Sequence, residues 1–514
     1  KHGLRIDTDA LGRSLGCEVV ATVASTGAGV DKIAGALRRA KPPEPLPENE
    51  PVRVWAERVS VGCTTSVGAS SGPEMTDRID DVITHPLLGA LVFVSVMTGL
   101  FWVVFKLAAW PMGWIDSAFV MLGDFVTGVM PPGAVRSLLV DGIIGGVGAT
   151  LVFLPQICLM FFLITLLEQS GYLPRAALLV DRLFRPFGLP GQSFVPLLTS
   201  HACAIPGIIA CRGIPDRRER LATILVAPFM SCTARIPVYV LLISILFADR
   251  PALAAVAFSG CYVLGAGAAL TTAAIFRRTF LRGVPRPMVL ELPSYRRPNL
   301  RSALLLTIDR GLGFLRKAGT VILGIMVVLW WTGTYPQSDP PPEVAAMRAQ
   351  AADAGSPEQA AAIETEADLL EARHAKANSF MGMAGRAIEP VFRPLGFDWQ
   401  LSVGVLSSFA AREVFVSTMA VVLATGEDEL HSESGLRRLA TATRDDGETR
   451  VFSRATSWSL LVFYVLAMLC MPTLAVTARE TGSWRWSGVQ FAYMTALAYA
   501  GALIAYHAAL IFGS

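Results

Sequence analysis

The sequence predicts an α-helical membrane protein that crosses the bilayer several times, with two related units containing broken helices and a short α/β segment in front of them. Of its 514 residues, 53% are hydrophobic and only 17% are charged, whereas a soluble protein would carry roughly a quarter charged residues. Beyond Pro86, apolar runs recur that reach about 20 residues, the length a membrane-spanning helix needs. Two of these stretches are interrupted by glycine, proline or charged residues.

The first 42 residues predict a soluble α/β segment. Residues 9–16 predict a short helix, residues 18–23 a β-branched strand and residues 30–39 an amphipathic helix. In the turn between the last two, Ser25 and Thr26 are candidates for contact with a nucleotide base. We interpret this strand–turn–helix as the C-terminal remnant of a nucleotide-binding domain.

The sequence contains no GxxxxGK[ST] motif. That motif supplies the backbone N–H groups and the lysine that cradle the phosphates of a nucleotide. We therefore expect no GTP hydrolysis by these residues and predict that the chain is not an enzyme. Because the sequence opens at Lys1 without a methionine, we expect a longer parent protein.

Hydropathy places seven clear spans and two broken segments beyond the proline-rich linker at 41–51 and the polar residues 52–84. The broken segments are 193–211 and 398–424, and irregular backbone at membrane depth is tolerated only where protein or a cavity covers it. The predicted clear spans are 87–109, 148–168, 219–247, 252–276, 317–334, 457–477 and 486–511.

The charges of the connections predict the orientation. Arginines cluster between residues 175 and 220 and again in the 277–316 connection, whereas residues 336–388 are acidic. Positive loops stay in the cytoplasm, so the basic connections and the N-terminal segment are expected inside and the acidic loop outside. The charges of the 425–456 loop do not decide its side.

A short internal repeat is also present. Phe184-Arg185-Pro186-Phe187-Gly188 recurs as Phe392-Arg393-Pro394-Leu395-Gly396, and each copy precedes a broken segment and then a cysteine-bearing span. The loop charges predict that the two units are inverted relative to each other, an arrangement that places a substrate site near the midplane, between the units.

The first broken segment carries soft metal ligands beside helix-breaking residues. His201 and Cys203 offer an imidazole and a thiolate, which suit Fe(II), copper or zinc better than magnesium or calcium. Pro206 and Gly207 are expected to interrupt the helix and to free backbone carbonyls. The alternative is a polar patch that only caps a helix.

The next span contains Met230, Cys232 and Arg235 between two prolines. An unpaired arginine inside a membrane costs at least ~2.5 kcal/mol, so Arg235 is expected to meet a partner, a cavity or the interface. Met230 and Cys232 are further candidate ligands, although packing in the core is an equally ordinary role for a cysteine.

The second broken segment contains Arg412 and Glu413, followed in the next span by Cys470 and Met471. An ionisable residue inside a membrane indicates a functional site by default, so Glu413 is predicted to face a cation or a proton. Arg412 is expected to support the gate, and Cys470 and Met471 are candidate soft ligands. We expect Cys158, Cys211 and Cys261 to be packing residues, and the cysteine spacing favours neither a zinc knuckle nor disulfides.

These residues resemble the bacterial ferrous iron transport protein B (FeoB) family over nearly the whole chain. Besides the N-terminal segment and the sequences around Cys203, Cys232, Glu413 and Cys470, the resemblance lies in uninterrupted runs of residues. These runs are Leu154-Pro155-Gln156, Leu167-Glu168-Gln169-Ser170-Gly171-Tyr172-Leu173-Pro174-Arg175-Ala176-Ala177 and Gly188-Leu189-Pro190-Gly191-Gln192-Ser193-Phe194-Val195-Pro196.

The resemblance implies a multi-pass protein of the bacterial inner membrane that imports Fe(II) through two gate repeats. It also implies an upstream cytoplasmic domain that binds GTP and Mg²⁺, small partners such as FeoA-like and FeoC-like proteins, and a homo-oligomer as one option; no nucleic acid is expected. The implied divisions are the G-domain remnant (1–42), the spacer remnant (43–84), the first membrane segments (85–180), the first gate repeat (181–276), a basic connection with a helix (277–335), the acidic loop (336–388) and the second gate repeat (389–514).

The sequence leaves alternatives open for the transported substrate and for the class of function. Many family members have Gly-Phe-Gly-Cys-Asn where this chain has Ser200-His201-Ala202-Cys203-Ala204, so an imidazole is added and an amide is lost at the candidate site. Mn(II), Zn(II) or a nucleoside-like solute are therefore alternative cargoes, and an iron-sensing membrane receptor is the alternative class.

Overall fold

The computed structural model describes residues 4–23, 27–40, 52–66, 75–248, 250–282, 295–353, 356–409, 412, 414–423, 439, 441–444 and 449–512. Ser25, Thr26, Glu413, the 41–51 linker and most of the 425–456 loop, for all of which the sequence carries predictions, lie outside these residues. Contacts divide the chain into two units, Lys1–Ile79 and Asp80–Ser514.

Helices account for most of the described structure. In chain order the strands and α-helices are β1 (Leu4–Ile6), α1 (Thr8–Leu15), α2 (Val30–Arg38), α3 (Val52–Cys63), β2 (Thr64–Ser66), α4 (Met75–Ile83), α5 (Pro86–Val129), α6 (Ala134–Ser137), α7 (Gly145–Val152), α8 (Leu154–Ser170), α9 (Tyr172–Phe184), α10 (Phe194–Ala202), α11 (Ala204–Ala210), α12 (Arg217–Val226), α13 (Ile236–Leu246), α14 (Pro251–Arg278), α15 (Leu300–Phe314), α16 (Thr320–Thr334), α17 (Pro342–Ala352), α18 (Pro357–Asn378), α19 (Phe380–Phe392), α20 (Trp399–Ser407), α21 (Val414–Val422), α22 (Arg454–Leu466), α23 (Met471–Thr481) and α24 (Trp484–Phe512).

In the first unit, both helices predicted from the sequence are present and the strand is not. Asp7 caps α1 by accepting hydrogen bonds from the N–H groups of Asp9 and Ala10, and Gly16 ends the helix in the left-handed region at φ 66°. The predicted strand at 18–23 forms only an isolated bridge between Val23 and Ala28. The sheet of this unit instead pairs β1 with β2 in antiparallel fashion. Residues 18–22 adopt no strand because no neighbouring strand among the described residues supplies them with a ladder.

The first apolar helix of the second unit is much longer than predicted. The span expected at 87–109 lies inside α5, which continues through Pro111 for 44 residues. At 1.5 Å per residue this helix is about 66 Å long, roughly twice the thickness of the hydrocarbon core of a bilayer. Proline inside a helix of the membrane region is tolerated when neighbouring groups satisfy the backbone.

The described residues confirm a multi-pass membrane protein. Five helical stretches are long and apolar enough to cross a membrane, or six if α8 and α9, which meet at 90°, count as one broken span. The spans predicted at 252–276 and 486–511 correspond to α14 and α24, whereas the span predicted at 317–334 is the end of a continuous helical run of α15, the π-helical turn Leu315–Gly319 and α16. The five stretches are Pro86–Val129, Arg217–Leu246, Pro251–Arg278, Arg454–Thr481 and Trp484–Ile511.

Four helices of the two repeats are broken, rather than the two predicted. The predicted breaks are present between α10 and α11 and between α20 and α21. The segments at 219–247 and 457–477 were expected to be continuous, and this is wrong: the first unwinds between α12 and α13, and the second between α22 and α23. Prolines at the start of each following turn account for both breaks, since Pro228, Pro237 and Pro472 cannot donate a backbone hydrogen bond.

The two repeats follow the same order of elements. In the first, α9 leads through the 3₁₀ turn Arg185–Phe187 to Gly188 at φ 76°, and in the second α19 leads through Arg393–Leu395 to Gly396 at φ 82°. Each then has a broken helix, a second broken helix and one long unbroken helix, α14 or α24. This equivalence confirms two gate repeats, while their inversion across the membrane stays a prediction.

Both repeats contribute to one apolar core, so their broken helices are held against each other. Its fully buried members include Phe229, Tyr239, Phe415, Phe463 and Tyr464, with Met494 of α24 against them. A second cluster joins α5 and α8–α10. Between the repeats, the acidic residues 336–388 contain α17 and α18. Arg348 of α17 pairs with Asp368 and Glu371 of α18.

An ion pair joins Asp80, which precedes the first span, to Arg175 of α9. The carboxylate of Asp80 accepts hydrogen bonds from the Nε and Nη2 of Arg175 and, at 3.0 Å, from the hydroxyl of Tyr295. The Arg175 side chain is fully buried and stacks on the Tyr295 ring. These hydrogen bonds, chiefly those from Arg175, hold the pKa of Asp80 below its usual range.

Candidate functional site

The first break of the first repeat centres on Cys203, three residues before the proline. Cys203 is extended, with φ −156° and ψ 135°, and α11 begins at the next residue. Pro206 has no N–H, so it cannot pair with the carbonyl of Ala202 four residues earlier. The hydroxyl of Thr233 donates to that carbonyl instead, at 3.1 Å. The partner of the carbonyl that Pro206 leaves free therefore comes from the next broken helix.

Gly207 has a packing role rather than the helix-breaking role predicted for it. It lies within α11 and its N–H pairs with the Cys203 carbonyl at 3.4 Å. A Cβ at this position would lie 1.9 Å from the Ser200 hydroxyl and 2.8 Å from the carbonyl of Pro196, both on α10. The absence of a side chain therefore allows α11 to fold back closely against α10.

The second break of the first repeat is held open by Arg235. This side chain is fully buried and donates from Nη1 to the carbonyls of Phe229, at 3.1 Å, and Met230, at 3.5 Å, and from Nη2 to that of Pro228, at 3.0 Å. Its partners are therefore backbone oxygens of the unwound segment, which agrees with the expectation that Arg235 must be partnered.

Two carbonyls at the end of α12, where this break begins, are satisfied by side chains of α24. Pro228 leaves the carbonyl of Ile224 without an N–H partner four residues on. The side-chain amide of Gln490 donates to the carbonyls of Ile224 and Leu225, both at 3.0 Å, and the hydroxyl of Tyr493 also donates to Leu225. Residues of the second repeat thus stabilise the unwound backbone of the first.

The breaks of the second repeat meet in the same way. The backbone N–H of Met471, at the start of α23, donates to the carbonyl of Phe409 at 3.0 Å. Cys470 is extended, with φ −163° and ψ 95°, and its Sγ accepts from the Thr473 hydroxyl at 3.0 Å. The hydroxyls of Ser408 and Tyr464 are hydrogen-bonded to each other at the end of α20.

Two arginines connect the repeats at these breaks. Arg235 Nη2 donates to the carbonyl of Ala467 at 3.3 Å, which lies in the break between α22 and α23. From the second repeat, Arg412 Nε donates to the carbonyl of Leu469 at 3.0 Å, and its Nη1 lies 3.6 Å from Cys232 Sγ. Arg412 is 4% exposed, so both guanidinium groups are almost completely removed from solvent.

The structure brings together three of the predicted cysteines. The thiols of Cys203, Cys232 and Cys470 lie close enough that their ionised forms would interact electrostatically, and Arg412 lies within the same range. Each of the three residues is only partly buried. Thiols from three unwound segments and the Arg412 guanidinium from the fourth therefore lie in one region between the repeats.

The other predicted ligands are placed differently. The His201 ring stacks parallel to Tyr262, with centroids 6.2 Å apart, and meets Phe101 edge-on, while its Nδ1 lies 3.1 Å from the Leu197 carbonyl. Met230 is buried, but the side chain of Met471 is 45% exposed. These placements favour packing for the imidazole, and a ligand role for any of the three stays a prediction.

No complete metal site is preformed in the part of the chain that the structure describes. Within it, no group of three or more histidine, cysteine, aspartate or glutamate side chains has the arrangement of a metal centre. Glu413, the acid predicted for the permeation path, lies outside that part. The arrangement is thus one in which ligands are near one another without forming a closed coordination shell.

Sequence reasoning missed two features of this region. The triplets Met230-Ser231-Cys232 and Met468-Leu469-Cys470 occupy equivalent breaks, and this Met-x-Cys recurrence could have been found in the sequence. Thr233 and Gln490 were not singled out, because nothing in their local sequence shows that they pair with carbonyls freed elsewhere.

Family models match both repeats and the segment between them. The Gate family model, whose description reads "Nucleoside recognition", matches residues 150–246 and 315–484. A model described as the C terminus of ferrous iron transport protein B matches residues 258–310. The first model alone covers more than half of the chain.

Curated relatives agree with these models. A protein named Fe(2+) transporter FeoB from Leptospira interrogans is 38% identical over 434 residues, which are 84% of this chain and 59% of the relative. A protein of the same name from Campylobacter jejuni is 32% identical over 527 residues, 99% of this chain and 80% of the relative. A Porphyromonas gingivalis protein named as a fusion of Fe(2+) transport protein A with FeoB is 36% identical over 448 residues, 85% of this chain and 52% of the relative.

The matched part of the chain spans a little over half the length of the first of these relatives. No solved structure matches the chain.

Proposed function

Because the chain belongs to the FeoB family of Fe(2+) transporters, we propose that it forms the path by which Fe(II) crosses the bacterial inner membrane. The substrate is a borderline-soft divalent cation, for which cysteine thiolates are suitable ligands. The observation that carries the proposal is the convergence of Cys203, Cys232 and Cys470 with unwound backbone between the repeats.

The geometry supports transfer by exchange of ligands rather than tight storage. An ion that gives up hydration water needs replacement ligands along its path, and carbonyls released from helices can supply them. Binding must also be weak enough for the ion to leave, and a cluster of partly buried thiols that forms no closed shell meets this condition.

The arrangement in the cell follows from loop charge and family membership. We place the N-terminal segment and the basic connections in the cytoplasm and the α17–α18 hairpin outside, by the positive-inside rule. An upstream domain that binds GTP and Mg²⁺ would regulate the path in the longer protein. Association with a FeoA-like protein agrees with the printed fusion of the two in Porphyromonas gingivalis, and a FeoC-like partner and a homo-oligomer are further expectations of the family.

Two observations leave other transported substrates open. The Gate model is described by nucleoside recognition, and His201 and Ala204 stand where many family members have other residues. We therefore keep Mn(II), Zn(II) and a nucleoside-like solute as competing cargoes. The clustered thiols favour a metal, because recognition of a nucleoside would use aromatic stacking and amide groups.

Uptake of radioactive iron tests the proposal. The full-length protein would be expressed in bacteria that lack other ferrous importers, and ⁵⁵Fe(II) uptake would be measured with excess Mn(II), Zn(II) or a nucleoside as competitor. We expect uptake that only metals reduce, and its loss in Cys203→Ser combined with Glu413→Ala. The matched control is Cys261→Ser, a buried cysteine of α14, which should transport normally.

Two results would overturn parts of this account. Normal uptake by the double variant would remove the site assignment but leave the cargo intact. Expressed, membrane-inserted protein that gives no uptake above the empty-vector level would contradict the transport function itself, and an iron-binding receptor would then be the better interpretation.

A further inference from the structure

We propose that Arg412 is a specificity-determining residue, whose guanidinium occupies ligand positions of the path until an ion that binds sulfur displaces it. The inference rests on the proposed function, since it concerns the passage of a cation. Its starting point is the pair of contacts that this side chain makes, one to the Leu469 carbonyl and one to Cys232 Sγ.

Both acceptors are atoms that a permeating metal ion would use. Leu469 lies in the unwound segment between α22 and α23, and the carbonyl there has no role in a helix. Cys232 lies in the corresponding break of the other repeat. A single positive group therefore links one soft ligand and one hard ligand contributed by opposite repeats.

Arg412 differs from Arg235 in what holds it. Arg235 donates to four carbonyls, three of them from its own unwound segment, and is fully buried. Among the described residues, Arg412 donates to one carbonyl and one sulfur, and sulfur is a weak acceptor. Among the described side chains, no carboxylate pairs with Arg412. These differences make Arg235 a structural link and Arg412 the more readily displaced of the two.

Charge makes the two occupants mutually exclusive. A guanidinium and a divalent cation within a few ångströms of each other repel strongly in a region shielded from water. An ion must therefore gain enough from its new ligands to offset removal of the guanidinium. A cation that bonds well to thiolate, such as Fe(II), gains this at Cys232, whereas Mg²⁺, which prefers oxygen ligands and dehydrates reluctantly, does not.

The first measurement tests whether Arg412 shields the Cys232 thiol. It uses the full-length protein in proteoliposomes to which no metal is added. The rate of alkylation by N-ethylmaleimide would be read for each cysteine by peptide mass spectrometry in wild type, Arg412→Gln, Arg412→Lys and the control Arg212→Gln. Arg212 is 60% exposed and donates hydrogen bonds from Nε and Nη2 to Glu480, not to a thiol. The fully buried Cys211 reports unfolding in every sample.

We expect the glutamine variant to raise about tenfold the Cys232 alkylation rate per thiolate, the effect of losing one hydrogen bond from a charged donor. This rate is read from the plateau of the pH–rate profile, because a neighbouring arginine also increases the thiolate fraction. The lysine variant should be intermediate, because an ammonium keeps the charge but cannot span both acceptors, and the Arg212 control should match wild type. An unchanged Cys232 rate in Arg412→Gln, with Cys211 unreactive, overturns the proposal. If Cys211 becomes reactive in that variant, the lysine variant decides by the same comparison.

The second measurement compares Fe(II) and Mg²⁺ flux in the same proteoliposomes. Arg412→Gln should raise the ratio of Mg²⁺ to Fe(II) flux several-fold above that of wild type, and a ratio that stays at the wild-type value contradicts the specificity role. Absence of Fe(II) flux in wild type would instead contradict the proposed function. The alkylation result still decides whether Arg412 shields the thiol, so the two failures are distinguishable.

Discussion

At the scale of single residues, the buried arginines Arg235 and Arg412 are stabilised by hydrogen bonds to backbone oxygens. A buried arginine is costly unless its donors are satisfied, and the unwound segments supply carbonyls that no helix uses. Arg235 and the helix break therefore depend on each other. The break provides carbonyl acceptors for the buried guanidinium, and the guanidinium provides donors for carbonyls that would otherwise be buried without a partner.

This mutual dependence predicts the effect of removing the donors. Arg235→Met keeps the length of the side chain but leaves three to four buried carbonyls unpaired, and each costs about 1–3 kcal/mol. We expect a markedly lower Tm of the purified protein in detergent, with a smaller loss for Arg235→Lys, which retains charge and some donors. A methionine variant with the Tm of wild type would show that the carbonyls find other partners.

The pair of Asp80 and Arg175 predicts a pH dependence at the membrane surface. Hydrogen bonds from Arg175 and Tyr295 lower the pKa of Asp80 in the folded protein, so the ionised form stabilises the fold. This contribution is complete above the unfolded pKa of about 3.9 and is lost as the pH falls through the lower folded pKa.

Asp80→Asn tests this sign. The Tm difference between wild type and the variant should stay constant from neutral pH down to about pH 5 and shrink only below about pH 4. A difference that disappears already near neutral pH would contradict the assignment of the stabilisation to the Asp80 carboxylate.

At the scale of elements, the half-helices of the first repeat fit together because of one glycine. The close approach of α11 to α10 leaves no space for a Cβ at position 207. Gly207→Ala should therefore overpack this contact, at a cost of about 1–3 kcal/mol, and lower both the Tm and the rate of iron transport.

The chain offers a matched control for that substitution. Gly213, a few residues further along, has no atom within 4 Å of an added Cβ, so Gly213→Ala should behave as wild type in both assays. Equal Tm values for the two alanine variants would mean that α10 and α11 are not packed as closely as the structure has them.

The sequence predicted these elements unevenly, for physical reasons. Long unbroken helices such as α14 and α24 were located within a few residues, because hydropathy measures transfer from water. The breaks at 227–235 and 467–470 were missed, since residues around them are as apolar as a continuous span. Polar atoms that make such breaks tolerable, including the Thr233 hydroxyl and the Gln490 amide, act across the fold and leave no local pattern.

The candidate residues of the site were predicted from the sequence, but the contacts between them were not. Arginines inside apolar runs indicate a functional site, since charged residues are rare at membrane depth, whereas a cysteine there is as ordinary as any small apolar residue. The cooperation of Arg412 with Cys232 was not predicted, because they are 180 residues apart in sequence and meet only when the repeats pack together. Likewise, the packing of His201 against Phe101 and Tyr262 depends on α5 and α14.

At the scale of the whole molecule, the two repeats pack as one unit and not as two independent domains. Their cores are continuous, and each repeat supplies donors to the unwound backbone of the other: Gln490 to the first, Arg235 to the second. A movement in one repeat therefore changes the hydrogen bonds of the other. We propose that the thiols brought together by this arrangement carry the ion.

Fe(II) flux into proteoliposomes that contain the full-length protein tests this claim most directly. A variant with serine at Cys203, Cys232 and Cys470 would be compared with one that carries serine at Cys158, Cys211 and Cys261, the cysteines expected only to pack. We predict that the first variant loses flux to the level of empty vesicles, while the second keeps the wild-type rate. Full flux through the first variant, with Tm values equal in all three proteins, would contradict the account.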